Sequence, residues 1–97
     1  MEFTEIIIPF EIEQKLIWKH AVHAYEVEEI FQLQPHFRFL KKGNFRGEDL
    51  YLALGQTESG RYLSVFFINK GRGAGLIISG REMDDKEGKL YAKISRK

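Results

Sequence analysis

The 97-residue chain contains no cysteine, which removes disulfides, thiolate metal sites and thiol nucleophiles together. It also lacks any long apolar run. The triplet Ile6-Ile7-Ile8 follows Glu2 and Glu5 rather than positive charge, unlike a signal peptide. No window approaches the roughly 18 apolar residues that a membrane span requires. A soluble protein of the reducing cytoplasm, without a membrane partner, is the expectation. No Gly-x-Ser-x-Gly elbow surrounds Ser64, Ser79 or Ser95, which sets aside a serine triad. His20 and His23 are three apart but straddle a predicted break between helices, with no cysteine or third histidine close by. A zinc site needs three or four protein ligands, so neither a metal nor another cofactor is expected. The pairs Glu28-Glu29 and Asp84-Asp85 fall on predicted helix starts or polar faces, where solvation and the helix dipole account for them.

What is present is a moderately apolar, aromatic-rich chain, 43% hydrophobic and 13% aromatic, of the size of one compact domain over residues 1–97. Its net charge of +1 conceals a polarity: residues 1–35 carry seven glutamates against Lys15 and Lys19, a balance of −5, and the remainder carries 13 bases against seven acids, a balance of +6. Such a division suits a surface that meets a polyanion on one side.

The period of the apolar residues divides the chain. Ile12, Leu16 and Ile17 predict a helix over 10–19. A second helix follows His23, with Val22 and Val27 spaced as a hydrophobic staple and Glu26 at the third position of a capping box. Val27, Ile30 and Phe31 form its apolar face, which ends at Gln34-Pro35. From Phe37 the period turns to two. Phe37 and Phe39 open a strand, Lys41-Lys42-Gly43-Asn44 forms a polar turn, and Leu50–Leu54 reads as a mostly buried strand. After a turn over 56–60, strands are expected over 61–68 and 75–79. The connection Asn69 to Ala74 is read as a glycine-rich hairpin, because Gly71-Arg72-Gly73-Ala74-Gly75 is followed by a strand and not by the helix that a phosphate cradle needs. A helix over 84–94, capped by Asp84 or Asp85, places Met83, Glu87, Leu90, Tyr91 and Ile94 near one stripe. The lead-in Met1 to Ile8 either adds an edge strand or stays loose. The expected class is α+β: two N-terminal helices, an antiparallel sheet of about four strands and a C-terminal helix.

Three blocks then stand in order. They are Lys19-His20-Ala21-Val22-His23-Ala24-Tyr25-Glu26-Val27-Glu28-Glu29-Ile30-Phe31, Glu48 to Thr57 continuing through Gly60 to Val65, and Ile77 to Met83 followed by Lys86-Glu87 and Tyr91. Together they resemble the BrnT toxin family over residues 10–92. Leu50 stands where the family commonly has Arg, His23 where it has Ser or Thr, and Gly80 where it has Ala.

The resemblance implies a RelE-like fold and the toxin of a type II toxin-antitoxin system. Such a toxin is a metal-independent endoribonuclease that cleaves RNA and inhibits translation. Its implied partner is a BrnA-like antitoxin with a ribbon-helix-helix part, through which alone operator DNA is met, and the resemblance leaves room for a toxin dimer within the complex. Metal-free RNA cleavage needs a base for the 2′-hydroxyl, an acid for the leaving oxygen and cations for the phosphorane. Lys19 and His20 are candidates for proton transfer or charge, Arg61 and Arg81 for phosphate, and Tyr91 for an acid or a stacking platform. Arg38, Lys41, Lys42, Lys70 and Arg72 are candidates for contacts to the RNA backbone. The alternative on the same fold is a non-catalytic interaction or co-repressor module.

Overall fold

The structure, a computed structural model, describes residues 1–43 and 48–95. Eight elements follow in chain order: β1 (Glu5–Ile7), α1 (Phe10–His20), α2 (Ala24–Gln32), β2 (His36–Lys41), β3 (Asp49–Gln56), β4 (Tyr62–Gly71), β5 (Ala74–Glu82) and α3 (Asp85–Ser95). The strands form a five-stranded sheet in the order β1-β5-β4-β3-β2. β2 to β5 are an antiparallel meander, as the alternating pattern predicts. The lead-in adds an edge strand, β1, which runs parallel to β5 with Ile6 opposite Gly75. The sheet is therefore mixed, one strand wider than the four expected.

Burial on both faces explains why β3 reads as a near-continuous apolar run. Ala53 of β3 and Leu63, Val65 and Phe67 of β4 point to one face, where Leu16 of α1, Val22, and Val27 and Ile30 of α2 complete the core. Leu52 and Leu54 point to the other face and are also buried. There Ser64 of β4 is bonded to Glu87 of α3. A cluster of Phe3, Phe31, Phe37 and Phe67, edge to face except for the tilted Phe31–Phe37 pair and with centroids 5.1–5.9 Å apart, ties the lead-in to α2 and the sheet.

Helix ends follow local chemistry. α1 closes on Ala21, left-handed at φ 53°, whose N–H donates to Ile17 O, while the Val22 N–H donates to Leu16 O. Glycine usually fills that position. α2 opens as its pattern predicts: Val22 and Val27 are fully buried and Glu26 Oε1 accepts from the His23 N–H at 3.0 Å. α3 opens with a reciprocal box, in which Asp84 Oδ1 accepts from the Glu87 N–H and Glu87 Oε1 from the Asp84 N–H.

Several boundaries differ from the sequence expectation. The connection of β4 to β5 is tighter than 69–74. The strands continue to Gly71 and from Ala74, and Arg72 and Gly73 both take positive φ, 55° and 79°. A two-residue turn with both φ positive matches the twist of the flanking strands. β5 also continues past Ser79 to Glu82, because a bulge at Ile78 breaks the alternation that marks a strand: Phe67 pairs with Ile77 and Phe66 with Ser79. The predicted turn Lys41–Asn44 begins with Lys41 still in β2, and its last residue, Asn44, lies outside the described residues.

Candidate functional site

The bulge at Ile78 decides which way the end of β5 faces. Beyond it Gly80 lies opposite Val65 on the helix-covered core face, and Arg81 lies opposite Ser64 on the other face. Without the extra residue the side-chain period of two would turn Arg81 toward the core. Gly80 brings α1 close, since a Cβ there would stand 3.3 Å from Leu16 Cδ2. β1 pairs with β5 only as far as Leu76, so the β5 edge beyond it has no strand partner among the described residues.

A groove of about 470 Å³ crosses that edge, lined by Ile17, Trp18, Lys19, His20 and Ala21 from the end of α1 and by Arg81 and Glu82 from β5. Three of the predicted catalytic residues, Lys19, His20 and Arg81, thus meet in one place. Lys15, Lys19 and His20 also line a smaller recess over Ile78 and Ser79.

Arg81 is held from beneath. Its Nη1 and Nη2 donate to Glu87 Oε1 and Oε2 at 2.6 and 2.8 Å, and Nη1 also reaches Glu82 O at 3.2 Å. Its guanidinium carbon sits 5.3 Å from the centre of the Phe66 ring, within cation–π range. Glu87 accepts from Ser64 Oγ as well, at 2.8 Å. The bonds to Glu87 raise the Arg81 pKa above its ordinary value, against the opposing effect of burial. Burial alone would push the Glu87 carboxyl up, but the bonds from Arg81, Asp84 and Ser64 outweigh it and hold the carboxyl below its ordinary value.

Arg61 lies on the opposite face of the sheet end. Its Nη1 donates to Ala21 O at 2.8 Å and to both oxygens of Glu26, at 2.8 and 3.0 Å, and its Nη2 donates to Glu82 at 3.2 Å. Desolvation opposes its charge, yet the two glutamates raise its pKa above the ordinary value. The Glu26 side chain is only 5% exposed, so Arg61 neutralises a buried carboxylate and pins the α1–α2 corner. Its links to the groove run through Ala21 and Glu82.

Tyr91 stands elsewhere. It meets Tyr62 edge to face at 5.9 Å and lines a recess of about 790 Å³ between α3 and the sheet end, together with Asp84 and Asp85. That recess is larger than the groove, but its lining sets two aspartates against a single cation, Lys89, whereas the groove sets Lys19 and Arg81, with His20, against the single acid Glu82. The groove of Lys19, His20 and Arg81 has the charge suited to an anion.

The predicted backbone-contact residues spread over the far end of the sheet. Arg38 is exposed on the edge strand β2. Lys41 and Lys42 line a third groove, about 330 Å³, with Leu50 and Ile68, and Ile78 borders both this groove and the recess under Lys19. Lys70 is paired with Glu48 at 2.5 Å, and Arg72 occupies the hairpin turn. Among the described residues no three His, Cys, Asp or Glu side chains converge as metal ligands, and no helix is long and apolar enough to cross a membrane.

Reading by residue type alone passed over Trp18, Glu82 and the carboxylate beneath Arg81. The spacing Asp84-x-x-Glu87 is a visible helix-start pattern, but nothing local announces that Glu87 also receives Arg81.

No protein-family model matches the chain, and no curated protein matches it. Among solved structures it is similar to the crystal structure of the Brucella abortus ribonuclease toxin BrnT, with a TM-score of 0.63 at 23% sequence identity, over 84% of this chain and 97% of that one. The chain has the α+β fold of that toxin.

Proposed function

We propose that this chain is the toxin of a type II toxin-antitoxin system, an endoribonuclease that cleaves RNA without a metal, inhibits translation and is silenced by a BrnA-like antitoxin. The carrying observation is the convergence of Lys19, His20 and Arg81 in one groove, on the fold of a ribonuclease toxin.

The chemistry is transfer of the phosphodiester to its own 2′-oxygen. The 2′-hydroxyl gives its proton to a base as the new P–O2′ bond forms. The P–O5′ bond breaks, and the departing oxygen takes a proton from an acid. His20 and Lys19 are the groups at hand for these transfers, and Arg81, with Lys19, stabilises the charge that builds on the phosphorane oxygens. Arg61 orders the groove wall through Ala21 and Glu82, and Tyr91 flanks the neighbouring recess. Lys41, Lys42, Lys70, Arg72 and Arg38 extend the contact surface for the RNA backbone.

The engagement of Arg81 by Glu87 also suits the rival reading, a non-catalytic binding module that uses the arginine for structure. Expression of the chain alone separates the two: growth arrest with loss of cellular RNA is expected, relieved by Arg81→Ala. Unchanged growth, with RNA intact, would support the rival.

A further inference from the structure

Trp18, the one tryptophan of the chain, is 83% exposed. An indole that buries so little of its large apolar surface forgoes most of the stabilisation, several kcal/mol, that a folded protein ordinarily takes from tryptophan. Its position is specific. It lies in the last turn of α1, beside exposed Ile17, and lines the same groove as Lys19, His20 and Arg81. Glu82, the acid of that groove, is directed to Arg61.

We infer that Trp18 is a stacking platform for one unpaired base of a single-stranded RNA whose adjacent phosphate is held by Arg81 and Lys19. This rests on the ribonuclease reading and adds to it the class of substrate. An aromatic face among cations is how proteins hold single strands: the ring stacks on a base of any identity and the cations meet the backbone. A paired base, stacked within an A-form helix, cannot offer its face to the ring. The groove thus selects loops, bulges and linear strands over duplex, and it does so without reading sequence.

The test uses Trp18 as its own reporter. A short single-stranded oligoribonucleotide made uncleavable by 2′-O-methylation is titrated into the full chain while tryptophan fluorescence is followed. Saturable quenching is expected, weakening with salt, and an equally long duplex should quench far less. Labelled-strand anisotropy should show Trp18→Ala binding about 10-fold more weakly, the scale of one base–aromatic stack, and Trp18→Phe recovering much of that loss. Circular dichroism checks that both variants fold, as substitution of so exposed a side chain allows. Wild-type affinity in Trp18→Ala, or equal quenching by duplex, would overturn the inference. So would fluorescence that RNA leaves unchanged but an acidic polypeptide such as polyglutamate quenches, which would mark a protein dock. Because the probe cannot be cleaved, a failure of stacking is distinct from a failure of catalysis.

Discussion

Arg61 and Arg81 look alike in sequence, and each ends against a carboxylate, but on opposite faces of the sheet. Arg61 is wedged between Ala21 O, the buried Glu26 and Glu82. Arg81 rests on Glu87, is about as exposed as Arg61 (33% against 27%) and lines the groove that holds Lys19, His20 and Trp18. One arginine closes the corner between two helices. The other is aimed, by a bulge one turn of pleat earlier, at a surface where an anion can arrive. An arginine's role is set by which residues its uncovered part faces once its own carboxylate is satisfied.

The sharpest contrast concerns cleavage. Arg81→Ala should lower the rate of RNA cleavage by about 100- to 1000-fold, the usual cost of losing one aimed transition-state donor, while the protein stays folded, destabilised by about 2 kcal/mol as Glu87 loses its partner. Arg81→Lys should recover part of the rate, because an ammonium cannot grip Glu87 and phosphate as a planar fork does. Arg61→Ala should weigh more on stability than on cleavage. It strands the buried Glu26 carboxylate, at a cost of about 3 kcal/mol, and should lower Tm by more than about 10 °C. A well-folded, inactive Arg61→Ala protein would break the comparison.

Acid should act through Glu87. Its folded pKa lies below the ordinary carboxylate value, so its contribution is complete above about pH 4.3, the unfolded value, and is lost as pH falls through the lower folded one. Chemical denaturation across that range should show a shallower acid limb in Glu87→Gln, and a loss of about 2 kcal/mol at neutral pH from the weakened bonds to Arg81 and Ser64. The smallest effect is expected at the helix corner. Ala21→Gly relieves a left-handed alanine and should raise stability by about 0.5 kcal/mol after the added freedom of the unfolded chain is deducted, or about 2–4 °C in Tm.

Local chemistry carried much of the fold into the sequence. The staple of Val22 and Val27, the Glu26 box and the period of Leu50–Leu54 each arise from neighbours a few residues apart, and each forms as expected. The parallel pairing of β1 and the length of β5 were not legible, because one depends on a partner far along the chain and the other is masked by a bulge that sets Ile77 and Ile78 out of alternation. The site divides in the same way. Lys19 and His20 announce themselves as a basic pair, whereas their meeting with Arg81 depends on Gly80 admitting α1 and on the bulge turning the strand. Trp18 beside Ile17 passes in sequence for part of an apolar helix face, and only its exposure sets it apart.

The most direct test is purified protein mixed with RNA in EDTA, with the product ends determined. The account predicts cleaved strands ending in 2′,3′-cyclic phosphate with wild-type protein, and intact strands with Arg81→Ala. Intact RNA with well-folded wild-type protein would contradict it.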